Sequence, residues 1–158
     1  MKSKHIIITG TSRGIGYELA LQFANEGHQV LAISRKTPKE LIENPNITCL
    51  SIDISNPNEL LQVENFINRT WKKVDVLIHN AGSLLHKQFM QITSEEFQNI
   101  YKVNVFAVAE LTKICIPFME KGSHVVTISS MGGIQGSMKF AGLAAYSSSK
   151  GAVITLSE

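Results

Sequence analysis

Residues 5–20 read "HIIITGTSRGIGYELA", and this stretch decides the fold. "HIIIT" is a short β-branched run without polar alternation, which suits a strand buried on both faces. It stops at Gly10, and three glycines follow at positions 10, 14 and 16 before the pattern turns helical. Glycine at such a strand-to-helix turn permits a tight bend and lets backbone N–H groups approach a pyrophosphate at the helix N-terminus. The spacing is G-x-x-x-G-x-G, not the G-x-G-x-x-G of many dinucleotide sites. The helix is expected from Gly14 to Glu26, with Ile15, Leu19 and Phe23 as its apolar stripe and Gly27 as its C-cap.

Downstream of this unit, strands and helices alternate. Further strands are expected at Gln29–Ser34, Ile47–Asp53, Val74–Asn80 and His124–Ser130. A short helix follows Thr37 and Pro38. Ser55, Asn56 and Pro57 open another, with Leu60, Val63, Ile67 and Trp71 as its stripe. Thr93 and Glu96 form a capping box, and the helical pattern behind them breaks between Tyr101 and Val105. Alternating βα units imply parallel strands and right-handed crossovers, hence an α/β, doubly wound parallel sheet of the Rossmann-like kind. No repeat, low-complexity tract or linker divides residues 1–158, so a single nucleotide-binding domain is expected. It ends inside the helix that carries Tyr146 and Lys150.

The totals agree with a globular enzyme-sized domain. Of 158 residues, 44% are hydrophobic and 18% charged, which excludes a disordered chain. A net charge of +2 with no basic run argues against nucleic acid as a partner. Cys49 and Cys115 sit far apart among apolar neighbours and are expected as buried free thiols. "MKSKHIIITG" has too short an apolar run for a signal peptide or membrane span, so the expected location is cytoplasmic, with no membrane partner. His79 and His86 are too isolated to suggest a metal, and His79 reads as a strand-end packing residue.

At the end of the second strand an acid would accept from the 2′-hydroxyl of NAD, whereas a cation would suit the 2′-phosphate of NADP. Ser34 and Arg35 stand there, followed by Lys36, and Arg13 lies in the glycine loop. NADP(H) is therefore favoured over NAD(H). Near the C-terminus, "YSSSK" puts Tyr146 and Lys150 on one face of a helix. A nearby ammonium favours the phenolate form of a tyrosine. Spacing alone, however, fits a tuned acid/base and a plain surface pair alike.

With "TGTSRGIG", "HNAG" (His79–Gly82), "VNV" (Val103–Val105), "ISS" (Ile128–Ser130) and "YSSSK" in this order, the chain closely resembles the short-chain dehydrogenase/reductase family. The resemblance runs from Ile6 to Glu158. It implies an NADP(H)-dependent oxidoreductase that interconverts an alcohol and a carbonyl on a small-molecule substrate. Tyr146 would be the general acid/base, and Lys150 would tune it and hold the nicotinamide ribose. Ser130 would bond the substrate oxygen, and Asn104 would anchor a proton-relaying water. Gly10, Thr11, Ser12, Arg13, Gly14, Ile15, Gly16, Ser34, Arg35, Asp53, Ile54, Asn80, Ala81 and Gly82 would line the cofactor site, together with Tyr146 and Lys150. Each also has a plainer reading: Asn104 as a helix interruption, Ser129 and Ser130 as a strand end, Asp53 as a turn residue.

The loop Met131–Leu143 is expected to wall the substrate site. It makes the Ser130–Tyr146 interval longer than is usual in the family, leaving Ser137 as the substitute if the register shifts. Family members normally continue past this point. The C-terminal strands of the usual fold are thus expected to be absent, and the fifth strand to lie at a sheet edge. A homodimer or homotetramer is the expectation for a complete family member. The alternative to an active enzyme is an NADP-binding module that lacks turnover because its substrate lid is missing. An epimerase or dehydratase of the related longer branch fits the glycine spacing less well.

Overall fold

A computed structural model describes residues 2–158. The chain runs β1 (His5–Thr9), α1 (Ile15–Asn25), β2 (Gln29–Ser34), α2 (Lys39–Ile42), β3 (Ile47–Ser51), α3 (Pro57–Phe66), β4 (Val76–His79), α4 (Ser94–Tyr101), α5 (Ala107–Cys115), β5 (His124–Thr127) and α6 (Ala144–Ser157). The five strands form one parallel sheet in the order β3-β2-β1-β4-β5. In-register pairs such as Ile7 with Leu31 and Ile7 with Leu77 place β1 at its centre.

The unbroken apolar run of β1 is explained by burial on both faces. Ile7 joins Leu31, Ile33, Leu77, Leu60, Val63 and Leu111 in the core shared with α3 and α5. Ile6 and Ile8 join Val30, Ala32, Ala20, Ala24 and Leu41 in the core shared with α1 and α2. Successive strand side chains point to opposite faces, so a strand covered by helices on both sides has no polar positions to spare.

The apolar stripe expected on α1 is corrected in part. Leu19 and Phe23 pack, partly buried, against the core of Ile6 and Ile8, whereas Ile15 is 61% exposed. The fully buried residues are Gly16, Ala20 and Ala24, also four apart. The helix lies close over β1 and β2, and along the line of nearest approach small side chains fit best. Gly27, with φ of 85°, ends the helix: its N–H donates to Ala24 O (3.1 Å) and His28 N–H to Phe23 O (3.0 Å).

Other local signals act as their chemistry dictates. Asn56 caps α3 through its side-chain oxygen, which accepts from Asn58 N–H (3.1 Å), with Pro57 in the first turn. Thr93 and Glu96 make a reciprocal capping box on α4. The interruption expected after Tyr101 is a π turn at Lys102–Phe106, so α4 and α5 run on as one helix with an inserted residue. A second π turn, Ile67–Trp71, extends α3 and closes on Lys72 in the left-handed region, φ 56°. Strand β3 stops at Ser51 and β5 at Thr127, each short of the expected end. Cys115 is buried, and burial pushes its thiol up to about 12; Cys49 is only partly buried, and both are unbridged. Among the described residues β5 pairs with β4 alone, at the sheet edge, with Val125 and Val126 exposed.

The corrected face of α1 has a direct consequence. Ala20→Leu is expected to cost about 1–3 kcal/mol through overpacking. Ile15→Ala should stay within about 0.5 kcal/mol. Urea unfolding followed by circular dichroism checks both; equal effects would restore the Ile15 stripe.

Candidate active site

In this strand order the connections diverge on either side of β1 and β4, and a crevice opens beyond their C-terminal ends. Its floor is tied together by two side chains. The buried Thr9 Oγ1 accepts from the backbone N–H of Asn80 (3.1 Å) and of Ala81 (3.0 Å). Asn80 Nδ2 returns two bonds, to Thr9 O (3.0 Å) and Gly10 O (3.1 Å). The chain leaving β4 therefore lies directly across the chain leaving β1. A methyl group at Gly10 would sit 2.8 Å from Ala81 Cα, and one at Gly16 would sit 2.6 Å from Gly10 O. Both glycines are required by close backbone approach, and Gly10 also by its φ of 75°. No side chain caps α1 at Gly14, so N–H groups of its first turn stay open to a ligand.

The cleft above this floor has a volume of about 330 Å³. Ten residues expected at a cofactor site line it: Gly10, Ser12, Arg13, Ser34, Arg35, Asp53, Ile54, Asn80, Ala81 and Gly82. Thr11, Gly14, Ile15, Gly16, Tyr146 and Lys150 do not. Thr11 is fully buried and its Oγ1 has no hydrogen-bond partner. Four lining residues were not anticipated: Ile33, Ile52, Ser83 and Val103. A more open hollow of about 740 Å³ adjoins it, bounded by Ser12, Arg13, Arg35, Lys36, Thr37 and Pro38. The cations of the glycine loop and of the β2 end thus face one space. Asp53 accepts from Ser55 N–H (2.9 Å) and Ser55 Oγ–H (2.7 Å). Burial raises its carboxyl, but these bonds and the Arg35 charge outweigh it and hold the group below the usual carboxylate range.

The candidate catalytic residues lie on three elements, and Gly82 brings Asn104 and Lys150 together. Asn104 sits in the π turn, 1% exposed, with Oδ1 accepting from Ser83 N–H (2.7 Å). Its Nδ2 donates to Ser83 O (2.9 Å) and Ser149 Oγ (2.9 Å). Lys150 is buried, its Nζ 6.0 Å from the Tyr146 ring centroid and bonded to Ile128 O (2.6 Å). Burial lowers its pKa from the usual lysine value. A side chain at Gly82 would lie 3.6 Å from both Asn104 Oδ1 and Lys150 Nζ, so the cleft wall, the π turn and α6 meet there.

Ser130 opens the turn Met131–Gly133, its Oγ accepting from Gly132 N–H (3.2 Å). That turn packs on α6: a methyl at Gly132 would lie 2.7 Å from Ser147 Oγ, and one at Gly133 would lie 2.6 Å from the Lys150 carbonyl carbon. Ser129 Oγ donates to Lys150 O (2.9 Å). The substitute Ser137 is half-buried and spends its hydroxyl inside its own loop, at 2.6 Å from Met131 O and 2.8 Å from Ile134 O. The longer loop folds on itself and leaves Ser130 beside α6.

The family profile described as short chain dehydrogenase matches residues 4–158. This chain belongs to the short-chain dehydrogenase family. Short-chain dehydrogenases similar to it include a probable short-chain type dehydrogenase/reductase of Helicobacter pylori, 34% identical over 155 residues, covering 96% of this chain and 56% of the relative. An NADPH-dependent pterin aldehyde reductase of Arabidopsis thaliana is 30% identical over 164 residues, covering 98% of this chain and 66% of that one. A short-chain dehydrogenase structure from Streptomyces avermitilis superimposes with a TM-score of 0.89 at 32% identity, over 98% of this chain and 58% of that one. The chain therefore spans a little over half the length of the first of these relatives. Among the described residues no helix is long and apolar enough to cross a membrane, and no three His, Cys, Asp or Glu side chains cluster as metal ligands.

His79, last in β4, is 3% exposed, and its Nε2 lies 2.8 Å from Thr112 Oγ1. Thr112 spends its only hydroxyl proton on Val108 O (2.7 Å), so His79 donates from Nε2 and carries its proton there. Burial lowers the imidazole pKa to about 4. Its contribution to stability is complete above pH ~6.5, the unfolded value, and is lost as pH falls through the folded value. Unfolding free energy should drop by on the order of 3 kcal/mol from this group between pH 7 and 4. His79→Gln should flatten that part of the urea-midpoint profile; an unchanged profile would remove His79 as its source.

Proposed function

We propose that the chain is an NADP(H)-dependent oxidoreductase acting on an alcohol/carbonyl pair, with Tyr146 as the group that holds the transferred proton. The observation that carries this reading is the cleft lined by Gly10, Gly82, Arg13 and Arg35, with Lys150 Nζ behind its wall, 3.6 Å from where a side chain at Gly82 would begin. The donor set fits a phosphorylated dinucleotide. Backbone at Gly10 and the open first turn of α1 suit a pyrophosphate, and Arg13 with Arg35 suits a 2′-phosphate. Asp53 and Ile54 would meet the adenine, and Asn80, Ala81 and Gly82 would border the nicotinamide end. The NADPH dependence in the name of the Arabidopsis relative supports the cofactor choice.

When bound, the nicotinamide supplies or accepts the hydride. The remaining chemistry belongs to this chain. Tyr146 would exchange a proton with the substrate oxygen. Lys150 keeps donors beyond the one engaged by Ile128 O, enough to hold a ribose hydroxyl. Ser130 would donate to the oxygen as negative charge develops there. The side chain of Asn104 is committed to Ser83 and Ser149, so a water it anchors would use the free lone pair of Oδ1 or its backbone carbonyl. A second reading, binding without turnover, is favoured by the cleft lining, which includes Arg13 and Arg35 but neither Tyr146 nor Lys150.

Tyr146→Phe separates the two. NADPH binding should survive, while turnover in a screen of aldehydes and ketones falls by at least about 100-fold, the scale of general acid catalysis. Wild-type chain that binds NADPH yet reduces no carbonyl would establish the binding-only reading. Arg35→Ala should weaken NADPH about tenfold or more and leave NADH unchanged. Equal losses for both cofactors would remove the 2′-phosphate role.

A further inference from the structure

Tyr146 and Lys150 stand on α6, which has no side-chain cap at its N-terminus. Its rotation about its own axis must be set elsewhere. Of the three serines between them, Ser148 bonds within the helix, its Oγ reaching Ala145 O (3.1 Å). Ser149 differs. It is 0% exposed, donates its single proton to Tyr146 O (2.7 Å), and accepts from Asn104 Nδ2 (2.9 Å). The polarity is self-consistent: with its proton spent on a carbonyl, the hydroxyl oxygen has only acceptor capacity left for the carboxamide N–H. Asn104 is held in turn by both backbone groups of Ser83, the residue after Gly82 on the cleft wall. A line of buried hydrogen bonds therefore runs from the cleft wall, through Asn104 and Ser149, to the backbone of Tyr146.

We propose that Ser149 is a positioning residue: as the receptor for the Asn104 carboxamide it fixes the rotation of α6, and so aims Tyr146 and Lys150 at the cofactor cleft. It has no exposed surface and acts only through these neighbours. Without its hydroxyl, Asn104 loses its sole contact with α6 through a hydrogen bond, and the carboxamide is left with an unpaired buried N–H. On the opposite side, Ser129 Oγ to Lys150 O and Lys150 Nζ to Ile128 O hold α6 to the end of β5, so removal of Ser149 should turn the helix without freeing it.

This inference rests on the reading of Tyr146 as acid/base, and its test has an arm that does not. The chain contains three tyrosines, Tyr17, Tyr101 and Tyr146. In protein labelled with 3-fluorotyrosine, ¹⁹F NMR gives one line for each, and Tyr146→Phe assigns the third. Ser149→Ala should shift or split the Tyr146 line while Tyr17 stays in place, and Ser149→Thr should restore it, since a helical threonine makes the same backward bond. Ser149→Cys, near-isosteric with a weaker acceptor, should move the line the same way by less, and serves if the alanine variant does not fold. In turnover, Ser149→Ala should lower kcat about tenfold, as misaimed reacting groups do, with a smaller rise in the KM for NADPH, of at most about threefold, from the displaced Lys150. A folded Ser149→Ala chain with the wild-type Tyr146 line and kcat would overturn the proposal. Wild-type chain that binds NADPH without turnover would sink the oxidoreductase reading alone, and the NMR arm would still decide the positioning role.

Discussion

The carboxamide of Asn80 holds the site together. By donating to Thr9 O and Gly10 O while its own N–H goes to Thr9 Oγ1, it fastens the exit of β4 to the exit of β1. Each such bond is worth about 1 kcal/mol net, but an unmet buried partner costs more, so the cluster tolerates little displacement. The glycine loop follows from it. With β4 lying across Gly10, and α1 pressed onto the same crossing, side chains at Gly10 and Gly16 have nowhere to go. Arg13 and Arg35 then stand on the side of the crossing where the cleft opens.

A second carboxamide extends the same frame. The π turn at Lys102–Phe106 carries Asn104, whose hydrogen bonds join the segment after Gly82 to α6. A regular helix would carry the residues beyond this point on a different rotation, because a π turn inserts one residue. Asn80 therefore sets where the cleft is, and Asn104 sets where Tyr146 and Lys150 stand relative to it. Under the proposed function, binding and chemistry would be separable, the first depending on β1, β2 and β4, the second on α6 and the end of β5.

Much of this was legible in the sequence. The β-branched run ending at Gly10 could only be a doubly buried strand, and the capping signals at Asn56 and Thr93 act as their side chains require. Of the ten cleft residues, the glycine loop, Ser34 and the arginines carry distinctive chemistry, whereas Asp53, Ile54, Asn80, Ala81 and Gly82 were implied by the family resemblance. The face of α1 was legible in part. Leu19 and Phe23 pack on the core as periodicity suggests, yet the closest helix–sheet approach selected Gly16, Ala20 and Ala24 and left Ile15 outside. The π turn looked like a break because an inserted residue shifts the apolar phase without ending the helix. Ser83 and Ser149 gave no signal. Three adjacent serines look alike until the fold brings one of them to Asn104, 45 residues away.

The central claim is that the cleft is built for a phosphorylated dinucleotide, and the most direct test is paired titration of the purified, folded chain with NADPH and NADH. Energy transfer from Trp71 to the reduced nicotinamide reports binding of each. NADPH should bind saturably and at least about tenfold tighter than NADH, the difference coming from charge-assisted bonds to the 2′-phosphate. Equal affinities, or no binding by a chain shown to be folded, would contradict it.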